Sequence, residues 1–339
     1  MLEKPDLADD KIIACLIGEY GLCVSQIAFL PLGADQNTAV YRALTGDEAS
    51  YFVKLRRGVF NEISVAYPKF LSDHGITQII PPLTTRKGRL WADLGAFKLI
   101  LYPYIEGHNA YAVDLSDRQW KYFGKALRSI HTAQIPPDLI ECIHQETYSA
   151  QGRETVKIFL ERIEHDAFDD PVAAKLAVFL KAKREEVLDL VRRAERLALV
   201  LQTGSLESII CHSDIHAGNI LIDGNGNLYI IDWDDPILAP KERDLMSIGG
   251  GQFSPRRMPK EEEALFYQGY GPTQINPFAL AYYRYERVIQ DIAVYCEQLL
   301  LTYEGGEDRE QSLRYLKSNF LPNGTIEIAR NSDKVTRAR

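Results

Sequence analysis

The sequence predicts an α+β protein of two lobes, with a small N-terminal lobe built on a five-stranded antiparallel sheet and a larger, mostly helical C-terminal lobe. Three observations carry this expectation. Residues 1–101 hold short apolar segments separated by turn signals, the pattern of a strand meander. After residue 107 the apolar positions recur at helical spacing. The 339 residues suffice, at roughly 150 per domain, for two domains or one large bilobal unit with a sizeable core.

Taken in order, residues 9–20 alternate apolar and polar at helical spacing. Strands are expected at Gln26–Leu32, Thr38–Leu44 and Tyr51–Leu55, punctuated by Gly33 and Gly46-Asp47. A helix from Phe60 to Asp73 interrupts the meander, and apolar runs at Leu90–Asp93 and Phe97–Leu101 complete the sheet. Tyr102–Gly107 reads as a connector, since Pro103 cannot donate to a ladder and Gly107 relaxes the backbone. The expected division is therefore 1–101 as the N-terminal lobe, 102–107 as the connector and 108–339 as the C-terminal lobe. Beyond it, Asp114–Thr132 carries Trp120, Phe123, Leu127 and Ile130 on one helical face and ends at Pro136-Pro137. Further helices are expected over 172–201 and Pro277–Tyr303, with short strands and turns in 209–232. The tail Arg330–Arg339 is polar enough to fray.

Hydrophobic residues make up 46% and charged residues 25%, a soluble globular composition. Asp+Glu exceed Lys+Arg by 47 to 39, and the net charge of −8 argues against a nucleic-acid or anionic-membrane binder while leaving room for a cationic partner. The five cysteines are scattered without metal-type spacing and are expected to be reduced. The acidic start Met1–Asp6 has no apolar core, and Lys98 breaks the best apolar run well short of the ~18 residues a spanning helix requires. A cytoplasmic location without membrane association is the expectation.

The chemistry concentrates in Cys211-His212-Ser213-Asp214-Ile215-His216-Ala217-Gly218-Asn219 and the following Ile231-Asp232-Trp233-Asp234. Two apolar runs flank Asp223-Gly224-Asn225-Gly226-Asn227 and read as a tight hairpin. Such a hairpin brings Asp214, Asn219 and Asp232 towards one point. Two carboxylates and a carboxamide are hard oxygen donors suited to Mg2+. Phosphoryl transfer needs this set: a carboxylate to orient the attacking hydroxyl and ligands for a metal that neutralises the phosphates. The bland alternative is an Asp/Asn-rich turn, which explains the glycines and leaves three convergent polar side chains unexplained.

The H-S-D-I-H-A-G-N and I-D-W-D segments resemble the aminoglycoside phosphotransferase and choline kinase-like family, which shares the protein-kinase fold. The stretches I-D-W-D-D-P-I-L-A-P-K-E-R-D-L and Y-Y-R-Y-E-R-V-I-Q-D are most similar to its spectinomycin phosphotransferase branch. The resemblance implies ATP-dependent phosphorylation of a hydroxyl on a small cationic aminocyclitol or aminoglycoside, with antibiotic inactivation as one use, and ATP and Mg2+ as cofactors. It implies Asp214 as catalytic base and Asn219 and Asp232 as metal ligands. Lys54, the one charge in the apolar strand Tyr51–Leu55, would contact the phosphates with Glu62 as its ion-pair partner; an outward-facing lysine is the alternative. No G-x-x-x-x-G-K-[ST] or G-x-G-x-x-G is present, so backbone amides with Asn37 or Thr38 in the loop 32–38 would approach the phosphates, unless that loop is merely a turn. Because Pro103 has no N–H, Tyr102 C=O and Tyr104 N–H are the expected adenine contacts, placing nucleotide between the lobes.

Asp244 resembles a family position that braces the catalytic loop, and His212 is expected to hold that loop. Trp233-Asp234 stands where protein kinases have Phe-Gly, and only nine residues separate Trp233 from Arg243, which favours a small acceptor over a peptide. Asp234, Asp235, Glu286 and Asp291 are the candidate acceptor carboxylates, with solvated helix charges as the alternative for Glu286 and Asp291. His131 reads as a core or capping residue, and Trp120 and Tyr282-Tyr283-Tyr285 as packing. Competing functions are a metabolic kinase for choline, a methylthio-sugar or homoserine, and a nucleotide-binding pseudokinase scaffold. The intact set Lys54, Asp214, Asn219 and Asp232 speaks against the scaffold.

Overall fold

The computed structural model describes residues 3–33, 35, 37–250, 253, 257–303 and 306–337, the side chains of 307, 335 and 337 excepted. The chain forms two compact units. The first comprises Met1–Val113, Thr132–Ile143 and Gly218–Pro236, and the second Asp114–His131, His144–Ala217 and Ile237–Arg339.

The first unit contains α1 (Asp9–Cys15), β1 (Val24–Leu30), β2 (Thr38–Thr45), β3 (Ser50–Arg57), α2 (Ile63–Asp73), β4 (Ala92–Leu94), β5 (Phe97–Pro103), β6 (Gly107–Asn109), α4 (Pro137–Ile140), β9 (Ile220–Asp223) and β10 (Leu228–Ile230). Five strands form one antiparallel sheet in the order β1-β2-β3-β5-β4. The helix expected over 9–20 is split. Its second part, Leu16–Tyr20, is a π turn closed by Gly21 at φ 76°, a conformation that a side chain would oppose. Ile12 and Leu16 pack with Ala39, Tyr41, Ala43, Val53, Leu55, Leu99 and Leu101 in one core. The two-residue period of a strand therefore turns Lys54 to the sheet face opposite Val53 and Leu55.

Residues 107–109, expected to end the connector and open a helical region, form β6, which pairs with β9 in the sheet β10-β9-β6. A Cβ on Gly107 would lie 2.3 Å from the Ile222 carbonyl oxygen, so glycine is needed for this close approach rather than for flexibility. The expected hairpin is present: Ile220 faces Ile230, and Asp223 Oδ1 accepts from the Asn225 and Asn227 N–H groups across the turn.

The second unit contains α3 (Asp117–His131), β7 (His144–Gln145), α5 (Gln151–His165), α6 (Pro171–Thr203), β8 (Ile209–Cys211), β11 (Ile237–Ala239), α7 (Glu242–Leu245), α8 (Pro259–Tyr270), α9 (Pro277–Leu301), α10 (Gly306–Ser318) and α11 (Thr325–Arg337). Asp170 caps α6 at the Ala173 N–H, and Asn276 caps α9 at Phe278 and Ala279, each followed by a proline at the first helical position. Leu190, Val191, Tyr282, Tyr285, Ile289, Leu316 and Ala329 share one core cluster, so the tyrosine run is packing.

The tail corrects the expectation of fraying. Residues 330–337 are the last turns of α11, and Asp333 is fully buried; 338 and 339 lie outside the described residues. No helix among the described residues is long and apolar enough to cross a membrane.

Candidate functional site

In the first unit the β9–β10 hairpin positions two oxygen donors. The Ile231 N–H donates to the Asn219 carbonyl at 3.0 Å, one step beyond the Ile220–Ile230 pair, so Asn219 and Asp232 flank the same end of the ladder. Asn219 is buried, whereas Asp232 is exposed and holds a left-handed φ of 66°. Such a backbone costs about 1–3 kcal/mol and persists only where the surroundings fix it. Here Trp233 does so, with its indole N–H on the Ile230 carbonyl at 3.0 Å and its ring edge-on to Tyr67 of α2 at 5.5 Å.

Lys54, on β3, donates to Asp232 Oδ1 at 2.7 Å and also bonds Asp234, whose other oxygen takes Arg56. Burial alone would lower the Lys54 pKa, but the carboxylates of Asp232 and Asp234 reverse this and hold the ammonium charged. The Asp234 carboxyl is raised by its own burial, against the pull of Lys54. The expected Lys54–Glu62 pair is not among the contacts of the described residues. Glu62 sits exposed at the start of α2, and the two aspartates after β10 take its place. Asn219 and Asp232, at the same end of the ladder, offer hard oxygen donors of the kind that Mg2+ accepts when phosphates and water complete its shell.

The connector also requires a correction. Tyr104 N–H donates to the Ser50 carbonyl at 3.2 Å, so the expected adenine donor is engaged by β3. The polar groups of alternate residues point to opposite edges of a strand. Tyr102 and Tyr104 face β3, whereas the Leu101 carbonyl faces away and accepts from Leu83 N–H at 2.7 Å. Continuing that parity, the outward groups are the Pro103 carbonyl and the Ile105 N–H, one residue along from the expected pair. In the loop 32–38, Ala34 and Gln36 lie outside the described residues. Asn37 N–H and the Thr38 hydroxyl both turn onto the Asp35 carboxylate, at 2.8 and 2.7 Å.

The second unit holds Asp214. Arg287 of α9 donates to Asp214 Oδ1, and His216 Nε2 lies 3.4 Å from Oδ2. Burial would raise the Asp214 carboxyl, but the His216 hydrogen bond and the Arg287 guanidinium outweigh it and hold it well below the usual carboxylate range. The loop before it is braced from below. Asp244 of α7 is fully buried and accepts from the His212 and Ser213 N–H groups at 2.9 and 2.8 Å. Its Oδ2 also meets His131 Nε2 at 2.9 Å, while His131 Nδ1 meets the Tyr270 hydroxyl at 2.8 Å. Ser213 is held at φ 72°. A buried carboxylate gripping two consecutive amides fixes the backbone that aims Asp214.

The model of a phosphotransferase enzyme family matches residues 28–283, the larger part of the chain. The chain belongs to that family. Spectinomycin phosphotransferase, APH(9)-Ia, in its crystal structure with ADP and spectinomycin, is 38% identical, covers 97% of this chain and 99% of that chain, and superposes with a TM-score of 0.89. Its AMP-bound complex is likewise 38% identical and covers 94% of this chain and 97% of that chain, with a TM-score of 0.84. The choline kinase LicA from Streptococcus pneumoniae shares the fold at 15% identity, over 95% of this chain and 99% of that chain, with a TM-score of 0.54. This phosphotransferase is thus a small-molecule kinase with a protein-kinase-like α+β fold.

The four carboxylates expected on the acceptor side of the phosphotransferase have different surroundings. Asp234 faces Lys54 and Arg56, and Asp235 is exposed. Glu286 is 4% exposed and bonded by Arg153 at 2.6 Å, with the Tyr282 hydroxyl also on Arg153 at 3.2 Å. It is thus a buried ion-pair partner, neither a solvated helix charge nor a group that an amine could reach without breaking that pair. Asp291 meets Arg287 Nε at 3.1 Å. Sequence reasoning missed Arg153 and Arg287. Only Arg287 left a signal, as a base four residues before Asp291 on the expected helix.

Proposed function

We propose that this phosphotransferase transfers the γ-phosphoryl group of ATP to a hydroxyl of a small cationic aminocyclitol or aminoglycoside, with spectinomycin as the first acceptor to test. The observation that carries the proposal is 38% identity, over nearly the whole of both chains, to a spectinomycin phosphotransferase crystallised with ADP and spectinomycin. The chemistry of the site supports it. Lys54, kept charged by two carboxylates, would exchange them for nucleotide phosphates. The Pro103 carbonyl and Ile105 N–H would take the adenine edge. Asn219 and Asp232 would hold Mg2+, which supplies charge neutralisation between the β- and γ-phosphates when bound. Asp214, ionised at neutral pH, would accept the hydroxyl proton as the acceptor oxygen forms its bond to phosphorus, and the Asp244 brace would hold that carboxylate in line. Asp291 and Asp235 would attract the acceptor amine. Inactivation of an antibiotic, in the cytoplasm where ATP is present, is the use this reaction implies.

An ATP-consumption assay on the purified enzyme with spectinomycin, other aminoglycosides and choline tests the reading. Phosphorylated spectinomycin is expected, and a choline product alone would replace it with a metabolic kinase. Asp214→Asn should retain nucleotide affinity and lose about 10²–10⁴-fold in turnover. Unchanged turnover would remove Asp214 from the mechanism.

A further inference from the structure

Asp214 is occupied by an internal cation. Arg287 Nη1 donates to its Oδ1 while Arg287 Nε reaches Asp291 Oδ1 at 3.1 Å, so one guanidinium bridges two carboxylates. Arg287 and Asp291 stand four residues apart on α9, and that spacing aims the guanidinium: Asp291 anchors Nε and Nη1 is left pointing at Asp214. Asn319 Nδ2 lies 3.4 Å from the other Asp291 oxygen. A carboxylate already accepting a charge-assisted bond is a weaker base, and that oxygen is denied to an incoming hydroxyl. One guanidinium is shared by two carboxylates, with His216 Nε2 3.4 Å from the other Asp214 oxygen, and burial raises the Asp291 carboxyl in spite of Arg287. An acceptor ammonium offers this pair the same charge and hydrogen bonds that Arg287 does.

We propose that Arg287 is a positioning and specificity-determining residue, whose guanidinium holds Asp214 in an unproductive ion pair until the ammonium group of a cationic acceptor replaces it on Asp214 and Asp291. The inference rests on the phosphoryl-transfer reading above. Its consequence is protection of ATP from water. With Asp214 unlatched, a water oxygen forms a bond to the γ-phosphorus and the bond from that phosphorus to the β,γ-bridging oxygen breaks, the electron pair leaving with ADP. The water proton passes to Asp214 and then to solvent, giving ADP and inorganic phosphate.

ATP hydrolysis without acceptor, and kcat and KM with spectinomycin, are measured for the wild type, Arg287→Met, Arg287→Gln, Arg287→Lys, Asp214→Asn and the Asp214→Asn/Arg287→Met double variant. The neutral variants should hydrolyse ATP about tenfold faster without acceptor, the scale of one charge-assisted hydrogen bond. Their acceptor KM should fall while kcat changes little. Arg287→Lys, which keeps the cation, should restore low hydrolysis, and the double variant should return to background. Two neutral variants guard against one failing to fold. Wild-type levels of hydrolysis in both, with spectinomycin still phosphorylated, overturn the latch and leave the reaction standing. An equal rise in Arg287→Lys also overturns it, by showing loosened packing instead of lost charge. No acceptor product from the wild type, together with hydrolysis indifferent to Asp214→Asn, overturns the phosphoryl-transfer reading and the latch with it.

Discussion

Asp244 shows how one buried carboxylate shapes its surroundings. It accepts from two consecutive backbone amides and from His131, and although burial works to raise its pKa, the His131 and His212 bonds hold it below the usual carboxylate value. A depressed folded-state pKa gives stability that is present above the unfolded value, near 4, and is lost as pH falls through the folded one. Asp244→Asn should therefore cost roughly 2–4 kcal/mol at pH 7 and less as the pH drops below about 4, because the amide offers one acceptor where the carboxylate offered two. Urea melts at both pH values check this, and an equal loss at pH 7 and pH 3 would contradict it. At this scale the residues proposed to act were legible: Lys54, Asp214, Asn219 and Asp232 stand in recognisable local strings. The outward edge of the connector was not, because engagement of the Tyr104 N–H by Ser50 depends on the register of β5 against β3, which residue types in the connector do not encode.

Among the elements, α11 departs furthest from expectation. Its sequence is polar, yet Ile326, Ala329 and Asp333 are buried. Asp333 takes Arg193 Nη1 at 2.9 Å and Arg196 Nη2 at 2.7 Å from α6, while Ser332 accepts from Arg284 of α9 at 2.6 Å. A helix that docks through ion pairs looks like a solvated tail when read alone, since its partners lie far away in the chain. Asp333→Ala should destabilise the protein by about 1.5–3 kcal/mol, the loss of charge-assisted hydrogen bonds to a buried carboxylate whose arginine partners stay partly solvated. Chemical denaturation measures it, and a loss below about 1 kcal/mol would mean that α11 is held by its apolar face alone. The hairpin β9–β10, by contrast, was readable in full, because Asp223-Gly224-Asn225-Gly226-Asn227 supplies both the turn residues and the side chain that closes it.

For the molecule as a whole, nucleotide binding should be visible as stability. A ligand that binds only the folded state at a hundred times its Kd adds about 2.7 kcal/mol. Thermal melts with ADP and Mg2+ should therefore shift upward for the wild type and much less for Lys54→Ala, whereas equal shifts would take Lys54 out of the nucleotide site. The sequence by itself determined the five-stranded sheet, the main helices, the β9–β10 hairpin and the family, because periodicity and spacing along the chain are local and covalent. Only the tertiary structure decided which charges meet: Lys54 with Asp232 across 178 residues, Arg193 with Asp333 across 140, and Arg287 with Asp214 across 73. An ion pair depends on where two backbones are brought by packing, and at such separations no local pattern records the partner.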